Sequence, residues 1–161
     1  MTEFEELYER YARDVYRFAL YLSGSPAQAE DIAAETFVRV WTARDKIRGA
    51  TVKAYLFTIA RHLHADGRRR DAREATLRDS FVDPSPGPEL ETASRQELGA
   101  VLAALQQLPE PDRAALLMRA QDAMPYEEIA ASLGLSLPAA KVKVHRARLK
   151  LAELVGPRRI P

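Results

Sequence analysis

The sequence predicts an all-α protein built as two small helical domains joined by a proline-rich linker. Three observations point there. Apolar residues recur at spacings of three and four over most of the chain, with no convincing alternating strand. The stretch DSFVDPSPGPELE (79–91) interrupts that periodicity with Pro84, Pro86, Gly87 and Pro88 and little apolar content. Charge, finally, comes in blocks. Residues 1–47 carry 6 basic against 9 acidic side chains (−3), 48–78 carry 8 against 3 (+5), 79–135 carry 3 against 10 (−7), and 136–161 carry 7 against 1 (+6). The net charge of +1 conceals both basic blocks.

The elements follow in order. Phe4, Leu7, Tyr8, Tyr11, Val15, Phe18 and Leu22 line one face of a first helix, which SGSP terminates. Ser25 as N-cap and Pro26 in the first turn start a second, whose apolar stripe is Ala29, Ala33, Phe37, Val40 and Trp41. A third begins near Thr51 and buries Val52, Tyr55, Leu56, Ile59 and Leu63. Proline removes donors and pushes its preceding residue out of helical conformation, so 79–91 reads as linker. Four helices follow. One spans about 89–107 and turns Leu98, Val101, Leu102 and Leu105 inward, and LPEPDRAALLMR restarts a helix after Pro109 or Pro111. PYEEIAASLG forms a short helix with Gly134 as its left-handed C-cap. Ser136 caps the last helix, which tolerates Pro138 in its first turn.

Composition excludes several functions. At 161 residues and 47% hydrophobic, the chain can bury a core. It has no cysteine, which rules out disulfides, thiolate metal sites and thiol sensing. The opening MTEFEELYERYARD is acidic and lacks a signal-peptide core. No apolar run approaches the ~18 residues of a membrane span. The expectation is a soluble cytoplasmic protein without membrane insertion, cofactor or metal, and one that leaves no room for a further regulatory domain after GPRRIP.

Two like-signed patches on a nearly neutral chain suit two contacts with one extended anion such as DNA. The last two helices sharpen this. A short helix, a GLS turn and a longer basic helix have helix-turn-helix spacing, with small Ala130 permitting close approach. In the last helix Leu137, Ala140, Val144, Ala147, Leu151 and Leu154 form one apolar seam. Lys141, His145 and Arg148 flank it on one side, Lys143, Arg146 and Lys150 on the other. Such a helix can enter a major groove while its charges reach phosphates and base edges.

The remaining motifs are less specific. In the second helix Asp31 and Glu35 lie four apart on one face, a like-charged pair that mildly opposes helix formation and so suits either a basic partner or a solvated face. In the third, with Ile59 at the core centre, Phe57, Arg61, His64 and Arg68 fall on the opposite face. An aromatic among basic groups suits an unstacked base. Phe57 packing beneath the loop that precedes the helix is an equal alternative. His62, His64 and Asp66 do not make a metal site, because i, i+2 side chains of a helix diverge. YEEIA presents solvated glutamates. No phosphate loop, nucleophile elbow or catalytic carboxylate pair occurs, so no enzyme is expected.

Three stretches in order give a resemblance. AEDIAAETFVRVW (29–41), AYLFTIARHLHADGRRR (54–70), and LPEPDRAALLMR with PYEEIAASLGLSLPAAKVKVHRARLKL together resemble an extracytoplasmic-function (group IV, sigma-70 family) RNA polymerase sigma factor. The resemblance covers nearly the entire chain. It implies a three-helix region 2-like domain (1–75), a linker (76–91) and a four-helix region 4-like helix-turn-helix domain (92–161). It also implies that the protein is a promoter-specific initiation factor whose partners are core RNA polymerase (the β and β′ subunits), promoter DNA and, as is common in the family, an anti-sigma factor. By the same resemblance Asp31, Glu35 and Arg39 bind polymerase. Arg48, Lys53, Phe57, Arg61, His62, His64, Arg68 and Arg69 contact the −10 element, the loop at 44–53 forming a pocket for a flipped base. Lys141, Lys143, His145, Arg146 and Arg148 contact the −35 element. The chain departs from the family at Tyr55 (usually Trp) and His62 (usually Asn). Pro138, Ala139 and Ala140 stand where Gly-Thr-Val is frequent, and Val142, Lys143 and Val144 where Ser-Arg-Leu is common. The lost hydroxyls remove hydrogen-bonding groups near the bases. Two other readings compete. An autonomous helix-turn-helix regulator explains the C-terminal half but not the first domain. A nucleic-acid-processing enzyme lacks its catalytic constellation.

Overall fold

Among the residues that the structure describes (2–43, 52–77 and 93–156 of a computed structural model) there are seven α-helices and no strand. They are α1 (Glu3–Ser23), α2 (Pro26–Thr42), α3 (Val52–Leu77), α4 (Ala93–Gln106), α5 (Glu110–Ala120), α6 (Tyr126–Leu133) and α7 (Leu137–Val155). The expected linker stretch 79–91, and Arg48 with its loop, lie outside the described residues. Helix α3 continues to Leu77, past the expected start of the linker at 76.

Local chemistry sets the boundaries. The Thr2 hydroxyl accepts the Glu5 amide at 3.1 Å, Ser25 caps α2 through the Gln28 amide at 3.2 Å, and Ser136 caps α7 through the Ala139 amide at 3.2 Å. Pro26, Pro111 and Pro138 each sit in a first turn, where the missing amide hydrogen costs no helical bond. Helix α1 ends at Gly24 with φ +74°, and α6 at Gly134 with φ +68°, the left-handed conformation that glycine adopts without strain. Gly24 is doubly constrained, because a Cβ there would stand 3.0 Å from the Gln106 side chain.

Helices α1, α2 and α3 pack on one another, and α5, α6 and α7 form a second group braced by α4. The two groups are also in contact, α1 with α4 and α5, α3 with α6. One continuous apolar cluster runs from Val15, Phe18 and Leu22 through Leu105 and Leu108 to Met118, Ile129 and Val144. Arg113 anchors the junction. Its guanidinium, 2% exposed, donates to the carbonyls of Leu22 (2.6 Å), Leu105 (2.8 Å) and Leu108 (3.1 Å), satisfying the open ends of α1 and α4 together.

Three expectations about faces are corrected, the first being Leu98 of α4, which was expected to turn inward and is 37% exposed. Trp41, expected in the core, is 46% exposed, its ring edge-on to Phe4 with centroids 4.9 Å apart. The buried face of α3 is rotated from the one expected: Leu56 is fully buried as expected, but the side opposite Ile59 is buried as well. Ala54, Phe57, Ala60 and His64 are buried, Phe57 stacking on Phe18 at 4.4 Å, while Ile59 and Leu63 are only half-buried. Both sides of α3 carry apolar residues, so periodicity alone did not choose between them. Ala54 and Ala60, three residues to either side of Phe57, are buried on the same face of α3.

Candidate nucleic-acid interface

Helices α6 and α7, joined across Gly134 and the Ser136 cap, build the helix-turn-helix. Ile129 and Ala130 of α6 are buried with Ala140, Val144 and Ala147 of α7, which fixes the rotation of α7 about its axis. The outward side therefore carries Lys141, Val142, His145, Arg146, Arg148 and Leu149, all exposed.

Within this basic set the side chains divide. Lys141, His145 and Arg148 point to solvent, Lys141 lying 5.8 Å from the Tyr126 ring centroid. Arg146 turns back. Its Nε and Nη2 donate to Asp112 Oδ2 and Oδ1 at 3.0 and 3.1 Å, and Lys143 Nζ reaches Oδ1 at 3.3 Å. Burial of Asp112 acts to raise its pKa, but the bonds and charges of Arg146 and Lys143 outweigh that and hold the carboxyl below its usual range. Asp112 was not singled out in the sequence. It fixes two basic side chains of α7 to the first turn of α5.

Among the described residues, those expected to meet the −10 element do not share one exposed face. Phe57 is fully buried against Phe18, so no face of its ring is open to a base. His64 is 4% exposed, and its Nδ1 has no hydrogen-bond partner. Burial, with the Arg113 and Arg68 charges beside it, lowers its pKa to about 4 against the opposing pull of Glu110, so it is neutral at physiological pH. Arg61 and Lys53 face the other group of helices. Arg61 is paired with Glu110, and Lys53 lies 3.3 Å from Asp14 and 3.4 Å from Asp122. Asp122, its side chain wholly buried, also receives Arg17 at 3.1 Å. Burial raises its pKa in spite of those two cations. His62, Arg68 and Arg69 remain exposed, Arg69 beside Asp66 at 3.0 Å.

Helix α2 presents a third surface. Asp31, Ala34, Glu35 and Val38 are all exposed at spacings that place them on one face. Arg39 lies 3.6 Å from Glu35 across one turn. Tyr8, 49% exposed, and Trp41 add apolar area beside it.

The residues that sequence reasoning missed are the carboxylates Glu110, Asp112 and Asp122, the guanidinium of Arg113, and Thr58, whose hydroxyl lies 2.6 Å from that of Ser132. The signal available was EPDRAALL, in which Asp112 and Arg113 enter a run of apolar residues and so require buried partners.

A small helical body with one helix-turn-helix and an outward basic helix defines a DNA-binding protein of two helical groups. Comparison with known proteins is consistent along the chain. The family described as Sigma-70 region 2 matches residues 7–74, and Sigma-70, region 4 matches residues 98–151. The chain is 36% identical to the ECF RNA polymerase sigma factor SigE of Mycolicibacterium smegmatis, covering 97% of this chain and 63% of that one. It is 30% identical to the ECF RNA polymerase sigma factor SigM of Bacillus subtilis over 93% of both. The solved sigma factor RpoE from Bartonella quintana, in complex with the anti-sigma factor NepR, superimposes with a TM-score of 0.84, at 28% identity, over 96% of this chain and 98% of that one. The chain belongs to the ECF group of the sigma-70 family. It spans less than two thirds of SigE and nearly all of SigM.

Proposed function

We propose that this protein directs core RNA polymerase to promoters by reading two DNA elements with its two helical groups. In this reading residues 1–75 hold the polymerase-docking and −10 functions, 76–91 link, and 92–161 read the −35 duplex. The observation that carries it is the separation of two unlike surfaces: an acidic and apolar strip on α2, and a basic outward face on α7.

On α2, Asp31, Glu35 and Arg39 beside Val38 and Trp41 meet the β and β′ subunits of core polymerase. Charge fixes the register there, and the apolar residues supply buried area. On α7, Lys141, His145 and Arg148 meet phosphates and base edges, and Lys143 and Arg146 share their charge between DNA and Asp112. For the −10 element, Arg48, His62, Arg68 and Arg69 remain the contacts. Lys53 and Arg61 become available when the two helical groups part. An anti-sigma factor is a fitting partner, since RpoE was solved with NepR bound and this chain has a similar arrangement over nearly its whole length. The site of action is the cytoplasm.

The test separates the two surfaces. Asp31→Lys with Glu35→Lys lowers binding to core polymerase and leaves duplex binding by the isolated chain unchanged. Lys141→Ala with His145→Ala and Arg148→Ala does the reverse. Loss of both activities in either variant would refute separate surfaces.

A further inference from the structure

The outward face of α7 is not uniformly polar. Val142 is 57% exposed and Leu149 is 56% exposed, both turned directly away from the buried seam of Ala140, Val144 and Ala147. A surface valine alone carries no meaning. The position of Val142 does. It lies in the second turn of the second helix of a helix-turn-helix, the part that meets base edges. Lys141, Lys143, His145 and Arg146 surround it within one turn. Valine is also a poor choice for an exposed helical position, because β-branching restricts its side chain there. The face around it attracts a polyanion, while its own two methyl groups offer no hydrogen bond.

The major groove has one apolar feature, the 5-methyl group of thymine. Resting on the reading that α7 enters the −35 duplex, we infer that Val142 is a specificity-determining residue that packs against a thymine 5-methyl group. Lys141 and His145, on the exposed flank beside it, hold the helix in the groove. Arg146, braced on Asp112, limits how far α7 can roll. Valine thus reads a thymine by shape and apolar contact where a hydroxyl side chain would read by hydrogen bonding. Leu149 lies seven residues on, about 10 Å further along the axis, too far from the N-terminal end to reach the same base pair.

The probe is a duplex promoter fragment whose start site has been mapped with the holoenzyme, remade with deoxyuridine replacing single thymines of the −35 element. This exchange removes one methyl group and leaves every hydrogen-bonding group in place. With the wild-type holoenzyme, one thymine or two adjacent ones lose about 4-fold in binding on exchange, which corresponds to about 0.8 kcal/mol for one buried methyl. In Val142→Ser that contrast disappears. In Leu149→Ser, a change of similar exposure on the same face, it remains. A wild-type holoenzyme indifferent to every exchange, a −35 element without thymine on either strand, or a contrast retained in Val142→Ser would each overturn the assignment to Val142. Loss of binding in Lys141→Ala would then show that α7 still reads the element. If neither Lys141→Ala nor His145→Ala weakens −35-dependent binding, the placement of α7 in the groove falls, and the role of Val142 with it.

Discussion

Arg61 clasps Glu110 with Nε donating to Oε2 at 2.8 Å and to Oε1 at 3.1 Å and Nη2 donating to Oε1 at 2.7 Å, and thereby ties α3 to the first turn of α5. Both side chains are largely withdrawn from solvent, and the parallel geometry makes this a strong charge-assisted pair. The Thr58 and Ser132 hydroxyls, the Asp122 cluster and the Gln106 amide on the Tyr21 carbonyl lie along the same junction. A basic residue suited to phosphate is thus held by a carboxylate of the same chain.

The first prediction concerns that clasp. Glu110→Arg loosens the contact between the helical groups, read as a larger radius of gyration in solution scattering and faster cleavage by trace protease. The double exchange Arg61→Glu with Glu110→Arg restores compactness, with a coupling of about 1–3 kcal/mol. If the single reversal leaves the scattering unchanged, the pair does not hold the groups together.

Arg113 is expected to dominate stability at the junction. Arg113→Met removes a donor from each of three buried carbonyls, of which that of Leu105 keeps the Leu108 amide, and should cost about 3 kcal/mol, read as a lower midpoint in urea unfolding. Arg113→Lys should recover only part of the loss, because one ammonium cannot span the carbonyls of Leu22, Leu105 and Leu108 as the planar guanidinium does.

His64 makes stability depend on pH. Its folded pKa of about 4 lies below the ordinary value of 6.5, so the unfolded chain takes up the proton first as pH falls. The stabilisation of the neutral form is fully present above about pH 6.5 and is lost progressively toward about pH 4, up to about 3 kcal/mol. His64→Gln flattens the dependence of melting temperature on pH across that window. An equally steep profile in the variant would assign the slope to carboxylates.

Asp112 separates structural from DNA-facing roles on α7. Arg146→Ala should lower the melting temperature as well as DNA affinity, since it removes the Asp112 brace. His145→Ala and Arg148→Ala should lower affinity and leave melting unchanged. The check is thermal unfolding beside salt-dependent duplex binding.

Much of this was legible in the sequence. Ser25, Gly134, Ser136 and Pro138 mark helix ends because capping and proline chemistry are local, and they mark them correctly. The seam of α7 could be read because its apolar residues occupy one stripe only. The face of α3 could not, since a helix covered by α1 and α2 and also by α6 is apolar on more than one side. His64 was therefore expected outside and is found inside, and Phe57, left open between facing a base and packing beneath the preceding loop, is packed, though against Phe18. Pairing across the junction, as between Arg61 and Glu110, joins residues far apart in the chain and leaves no periodic trace.

The central claim is tested most directly by mixing the purified chain with bacterial core RNA polymerase, following co-elution, and mapping transcription starts on genomic fragments. Co-elution with initiation at new start sites, preceded by shared elements near −10 and −35, is the result predicted. Tight, salt-sensitive duplex binding by the chain alone, with no association with core polymerase, would contradict it and favour an autonomous helix-turn-helix regulator.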